Sequence, residues 1–149
     1  MRIEDEIKQE KFDDEFHKAL INILFTHNYL INGINQTLKE YQITRQQYNV
    51  LRILKGKHPK STQIYHIKDR MLDKLSDASR IVDRLKKKGL VEKTESVDDK
   101  RAVDIKISKK GLYLLQKLDA PAKQFNEMLR SLTKEEARQL NQLLDKIRK

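Results

Sequence analysis

Arg80 and Arg84, four residues apart, and Arg101, on a short polar run, are the side chains in this sequence best placed to do chemistry. A guanidinium makes no covalent bond; it recognises phosphate oxygens and base edges through forked hydrogen bonds. Ser76, Asp77 and Ser79 stand just ahead of the arginine pair. Short polar groups there can cap a helix, and near its N-terminus they can reach base edges while backbone N–H groups meet phosphate. Asp77 could accept from cytosine or serve only the cap. The residue types do not say which of these side chains meets bases and which meets phosphates.

Other chemistries find little support. There is no cysteine, which excludes disulfides and thiol-based oxidant sensing. No G-x-S-x-G elbow or glycine-rich phosphate loop is present, and the carboxylates are scattered, so neither an enzyme nor a bound cofactor is expected. His17, His27, His58 and His66 lack the close spacing of a metal site. His66 with Asp69 would need a third ligand from elsewhere, so no metal is expected.

The elements that hold these residues can be read from periodicity. Ala78, Ile81, Val82 and Leu85 recur at helical spacing and predict a short helix, with Ser76 as a plausible N-cap and Gly89 as its left-handed stop. Arg80 and Arg84 then share the outward face, and cations gather late in the helix, where its dipole favours them. After Gly89 the period changes to two. Leu90–Glu95 and Val103–Ile107 predict two strands joined by a polar tip, Ser96–Ala102, that carries Asp99, Lys100 and Arg101. A helix followed by a basic-tipped hairpin is the outline of a winged helix-turn-helix.

The run Ser79-Arg-Ile-Val-Asp-Arg-Leu-Lys-Lys-Lys-Gly-Leu-Val91, followed by Asp99-Lys-Arg101-Ala-Val103, closely resembles the MarR family, the multiple-antibiotic-resistance-type regulators. The specific motifs span about Ile64 to Gly111, while length and element order match over nearly the whole chain. The resemblance implies that the helix before Gly89 reads DNA, and that Asp99 orients Arg101 in the wing; the adjacent Asp98 is the alternative. A narrow A·T minor groove attracts an inserted arginine. The plainer alternative for Arg101 is a mobile surface ion pair worth less than about 1 kcal/mol.

Around this reader, Phe12 to Leu38 predicts a long amphipathic helix with a wider apolar stripe than one small domain needs. Thr44-Arg-Gln-Gln47 has the form of a capping box opening a helix, with Gly56 beyond its end. Ser61 or Thr62 is expected to cap the support helix of Ile64, Ile67 and Met71, and Thr62 is also a DNA-contact candidate. The turn Leu72–Leu75 lacks the glycine common in helix-turn-helix sequences, so it is expected to be longer or less tight. Ser108 caps a fifth helix through Leu115, Phe125 and Leu129, with a bend or break expected at Pro121. Thr133-Lys-Glu-Glu136 opens a last helix bearing Leu140, Leu144 and Ile147.

The chain has 149 residues, 36% of them charged, and a net charge of +10. Its mean hydropathy is −0.78 and its pI about 9.7. Such a balance suits a polyanionic partner and leaves a thin core for the length. Residues 1–15 run against the trend with a net charge of −4, leaving +14 for the remainder. No signal peptide or spanning apolar run is visible, and the chain is expected to be cytosolic.

The fold expected is mainly α with a small β-hairpin wing: an N-terminal helix over 1–40, the winged helix-turn-helix lobe over 41–108, and C-terminal helices over 109–149. Phe12, Phe16, Leu129, Leu140, Leu144 and Ile147 are expected in a dimer interface, the arrangement the resemblance implies for the outer helices. The function expected is a homodimeric, sequence-specific DNA-binding regulator on a pseudo-palindrome, a repressor rather than an activator. By the same resemblance, a small-molecule effector would bind between the helical region and the reader. The rivals are a helical dimer using the winged fold for protein contact, and a non-specific architectural DNA binder.

Overall fold

The computed structural model describes residues 1–148. Their elements, in chain order, are α1 (Ile3–Ile7), α2 (Glu15–Lys39), α3 (Arg45–Lys57), α4 (Ile64–Arg70), α5 (Ala78–Lys87), β1 (Val91–Glu95), β2 (Val103–Ile107), α6 (Lys109–Glu127) and α7 (Lys134–Ile147). A mainly helical chain with one antiparallel hairpin is the architecture the periodicity predicts.

The long helix begins later than expected. Asp14 stops it from running back to Phe12, because its carboxylate accepts the His17 N–H at 2.7 Å and so caps α2. Ahead of it lies a helix that the sequence reading did not anticipate. α1 folds back on α2, burying Ile3 and placing Glu4 2.6 Å from the Lys18 ammonium. The Lys18 hydrogen bond, followed by a backbone amide and Arg2, holds the Glu4 carboxyl down to about 2 against an ordinary 4.5. Because the folded value lies below the unfolded one, this contribution is present above pH 4.5 and is lost as pH falls toward 2. The protection factors of the α1 amides, taken against the intrinsic exchange rate at each pH, are therefore expected to fall across that window while those of α3 hold. NMR protection factors that leave α1 unchanged would detach Glu4 from its docking.

The main core joins α2, α3, α4, α5, the hairpin and α6. Leu38 from α2 and Leu115 and Leu118 from α6 lie in the same apolar cluster as Leu51, Val82 and Ile105. The flanking helices are thus rooted in the reader lobe. Thr44 and Gln47 form the expected reciprocal capping box on α3, and Thr133 and Glu136 form the one on α7. Gly56 proves to be helical, since α3 continues through Lys57.

Two further expectations are corrected. α6 runs unbroken across Pro121. Proline removes one N–H, but the packing of Leu115 and Leu118 before it and Phe125 after it holds both halves on one core. Leu129 lies outside this helix, in the turn after Glu127, where its N–H donates to the Asn126 carbonyl at 3.1 Å. No helix among the described residues is long and apolar enough to cross a membrane.

Candidate nucleic-acid interface

The reading helix α5 buries Ala78, Val82 and Leu85 and turns Ser79, Arg80, Asp83, Arg84, Lys86 and Lys87 to solvent. Asp77, not Ser76, is its N-cap: the Asp77 carboxylate accepts the Arg80 N–H at 3.1 Å. The carboxylate also lies 3.9 Å from the Arg80 guanidinium, an exposed pair that leaves Arg80 free to move. The far end closes as expected. Gly89 takes φ +73°, its N–H reaches the Lys86 carbonyl at 2.9 Å, and the Leu90 N–H reaches Leu85 at 3.0 Å, the paired bonds of a Schellman stop. Lys88 turns away from the outer face, its ammonium held by the Gln42 carbonyl and, at 3.4 Å, by the Gln47 side chain.

Ser76 braces the turn into α5. Its hydroxyl hydrogen-bonds the Asp73 carboxylate and, more than any other cause, holds that group below the usual carboxylate range. Asp73 also accepts the Leu75 N–H at 3.2 Å and faces Arg45 of α3 at 3.8 Å, while the Leu72 N–H donates to Asn49 at 2.9 Å. Residues 71–77 separate α4 from α5, so the turn without glycine is indeed long.

The wing pairs Val91 with Ile107 through Glu95 with Val103. Asp99 shapes its tip, though through the backbone. Its carboxylate accepts the Arg101 N–H at 2.9 Å and its carbonyl accepts the Ala102 N–H at 2.9 Å, an Asx turn stacked on a β-turn. Neither Asp98 nor Asp99 forms an ion pair with the Arg101 guanidinium among the described residues, and Arg101 and Lys100 are exposed. Thr62 is not the cap of α4 that the sequence suggested. It is buried, and it exchanges two backbone hydrogen bonds of 2.8 Å with Ile105, adding a one-residue bridge beside β2. Gln63 precedes α4 without a side-chain cap.

Lys93 joins helix and wing. Its ammonium sits 2.6 Å from the Asp83 carboxylate, and that hydrogen bond is the main cause holding Asp83 below its ordinary range. The signal was present in the strand: Lys93 has the parity of buried Val91, and a lysine on an inward face needs a partner. Gln63, Tyr65, Ser79, Lys93 and Arg101 together line a cleft of about 260 Å³ between α4, α5 and the wing. Tyr65 and Gln63 were not expected there. Lys68 and Arg70 are exposed cations in the last turn of α4. The arrangement offers hydrogen-bond donors and positive charge along one face and contains no nucleophile–base pair. Among the described residues no three His, Cys, Asp or Glu side chains gather as a metal would require.

On the flanking helices, Phe16 is 84% exposed, with Leu20, Leu24, Leu129, Leu140 and Ile147 also open to solvent. α7 buries none of its residues, although its apolar side chains form a stripe. Leu144 is half-buried, as is Phe12, which packs edge-on against His17 at 5.7 Å. Leu143, 61% exposed, belongs to this surface and was missed because it falls beside the stripe chosen from periodicity. Between α2, α3, α6 and the turn lies an apolar cleft of about 220 Å³ bordered by Ile34, Arg45, Tyr48, Arg52, Leu72 and Phe125. Burial there pushes the Tyr48 phenol up.

Comparison with known proteins gives this geometry a lineage. The model of the MarR family matches residues 41–102. The HTH-type transcriptional repressor IacR of Pseudomonas putida is 26% identical over 136 residues, covering 89% of this chain and 80% of that repressor. The crystal structure of a MarR transcription factor from Planctomyces limnophilus superposes with a TM-score of 0.69 at 29% identity, covering 91% of this chain and 98% of that one. An organohalide-sensing transcriptional regulator, solved with 2,4-dichlorophenol bound, reaches a TM-score of 0.80 at 25% identity, covering 94% and 85%. The family match falls on the stretch that builds the reading helix and its wing, and the structural likeness extends to the outer helices, so this chain is similar to MarR-family regulators in fold and in that stretch of sequence.

Proposed function

We propose that two copies of this chain form a DNA-binding transcriptional repressor, acting in the cytoplasm, that reads a pseudo-palindromic operator. The observation that carries it is the cleft between α4, α5 and the wing, where Ser79 and Arg101 share one lining and the Lys93–Asp83 pair ties the wing to the reading helix. Each α5 enters a major groove, with the two half-sites about one helical turn apart. Ser79, Arg80 and Arg84 meet base edges and phosphates, and Arg101 with Lys100 reaches the flanking minor groove. The apolar stripes of α2 and α7, including Phe16, Leu140, Leu144 and Ile147, hold the copies together. The cleft beside Tyr48 takes the effector. The dichlorophenol-bound relative supports a small aromatic molecule there, because that cleft is apolar and carries two arginines. The protein works by binding and release and has no catalytic step.

A mobility-shift series on the chain's own upstream DNA tests this reading. A shifted band that survives excess unrelated duplex supports the repressor, one that vanishes indicates an architectural binder, and no band indicates a protein-contact module. On the selected site, Arg101→Ala is expected to weaken binding about fivefold or more without altering the thermal melt. Equal affinity would remove the wing from the interface.

A further inference from the structure

Leu75 is 99% exposed, although it is a large apolar side chain in an ordered turn. The turn presents it firmly. Its own N–H is bound to the Asp73 carboxylate at 3.2 Å, the next N–H, of Ser76, reaches the Asp73 carbonyl at 3.3 Å, and Arg45 steadies Asp73 from α3. Neither the core nor the apolar stripes of α2 and α7 use it. Its neighbour Leu72 differs, since that side chain borders the cleft beside Tyr48 and Phe125. Leu75 borders no cleft described above. It stands two residues before the Asp77 cap, at the end of α5 that enters a major groove in a helix-turn-helix.

The surrounding side chains, Ser76, Asp77, Ser79 and Arg80, are equipped for polar contacts. A leucine among them has one apolar counterpart on the base edges of a major groove, the C5-methyl of thymine. We infer that Leu75 is a specificity-determining residue that packs on a thymine methyl at one fixed position in each half-site. This rests on the DNA-reading function proposed above.

The test uses the operator recovered by selection from random duplexes, with each thymine replaced singly by deoxyuridine, which removes only that methyl. The full-length protein and its Leu75→Ala variant are titrated on every duplex, after light scattering and a thermal melt show the variant to be folded and dimeric. At one thymine per half-site, loss of the methyl is expected to weaken the natural protein about fourfold, the worth of one buried methyl group, and to leave the variant unchanged. Equal losses for both proteins at every thymine, or no loss for the natural protein, overturn the inference while leaving the repressor standing. Failure of the natural protein to select any site overturns both.

Discussion

Leu140→Asp is expected to turn the dimer into monomers in size-exclusion chromatography with light scattering, and to abolish the operator shift at concentrations where the natural protein is saturated. α7 has no buried residue of its own, so its stability in the folded chain depends on what covers it. Leu140, Leu143 and Ile147 lie along one side of it, 38%, 61% and 66% exposed. Two-fold symmetry places each substitution in the interface twice, and an unpaired carboxylate in an apolar contact costs on the order of 3 kcal/mol or more. Two of them weaken association by about ten-thousandfold or more. A separated lobe keeps its reading helix but can hold only one half-site, which removes most of the affinity. Dimer elution by the variant would exclude α7 from the interface.

Gly111→Ala is expected to lower the melting temperature strongly, because it sits where α6 meets the base of the wing. A Cβ built on Gly111 would lie 2.3 Å from the Leu90 carbonyl oxygen and 2.7 Å from an Ile107 side-chain carbon. The backbone there cannot retreat. The Ser108 hydroxyl donates to the Gly89 carbonyl at 2.6 Å and accepts the Gly111 N–H at 3.0 Å, and the Ser108 N–H donates to Leu90 at 3.1 Å. Overpacking of this kind costs about 3 kcal/mol, or roughly 6–12 °C in a chain of this size. Gly56→Ala is the matched control. Nothing lies within 4 Å of its added methyl, and an alanine inside α3 stabilises by about 0.5–1 kcal/mol. Opposite signs in two melting curves are therefore expected; a rise in both would mean that helix propensity, not the close approach, governs Gly111 as well.

The parts legible from the sequence were those set by local chemistry. The Gly89 stop, the Thr44 and Thr133 capping boxes, the hairpin and the apolar face of α5 each follow from neighbours within a few residues. What was misread depends on distant partners. Ser76 and Asp77 are both competent caps, and the choice falls to Asp77 because Ser76 is drawn to Asp73 in a turn fastened to α3. Thr62 resembles a cap in sequence, but Ile105, forty-three residues on, claims its backbone. Pro121 has a strong local tendency to break a helix, and the core contacts on both sides override it. α1 is too short for periodicity to reveal, and it exists through Ile3 and Glu4 on α2. Of the candidate site, the reading helix and Arg101 were visible, whereas Lys93 and Tyr65 acquire meaning from what stands opposite them in space, and Leu75 from having nothing packed against it.

The docking of α1 separates the charges of the molecule. Net −4 over residues 1–15 is pinned beside Lys18, whereas α5 and the wing lie past the Leu38 end of α2. At 1.5 Å per residue, Lys18 and Leu38 are about 30 Å apart, several screening lengths at physiological salt. The chain is a permanent dipole with its cationic pole at the reading face. The field of an approaching duplex exerts a torque on it, turning the arginines inward before contact and repelling the opposite end, so that fewer collisions are wasted on the wrong side.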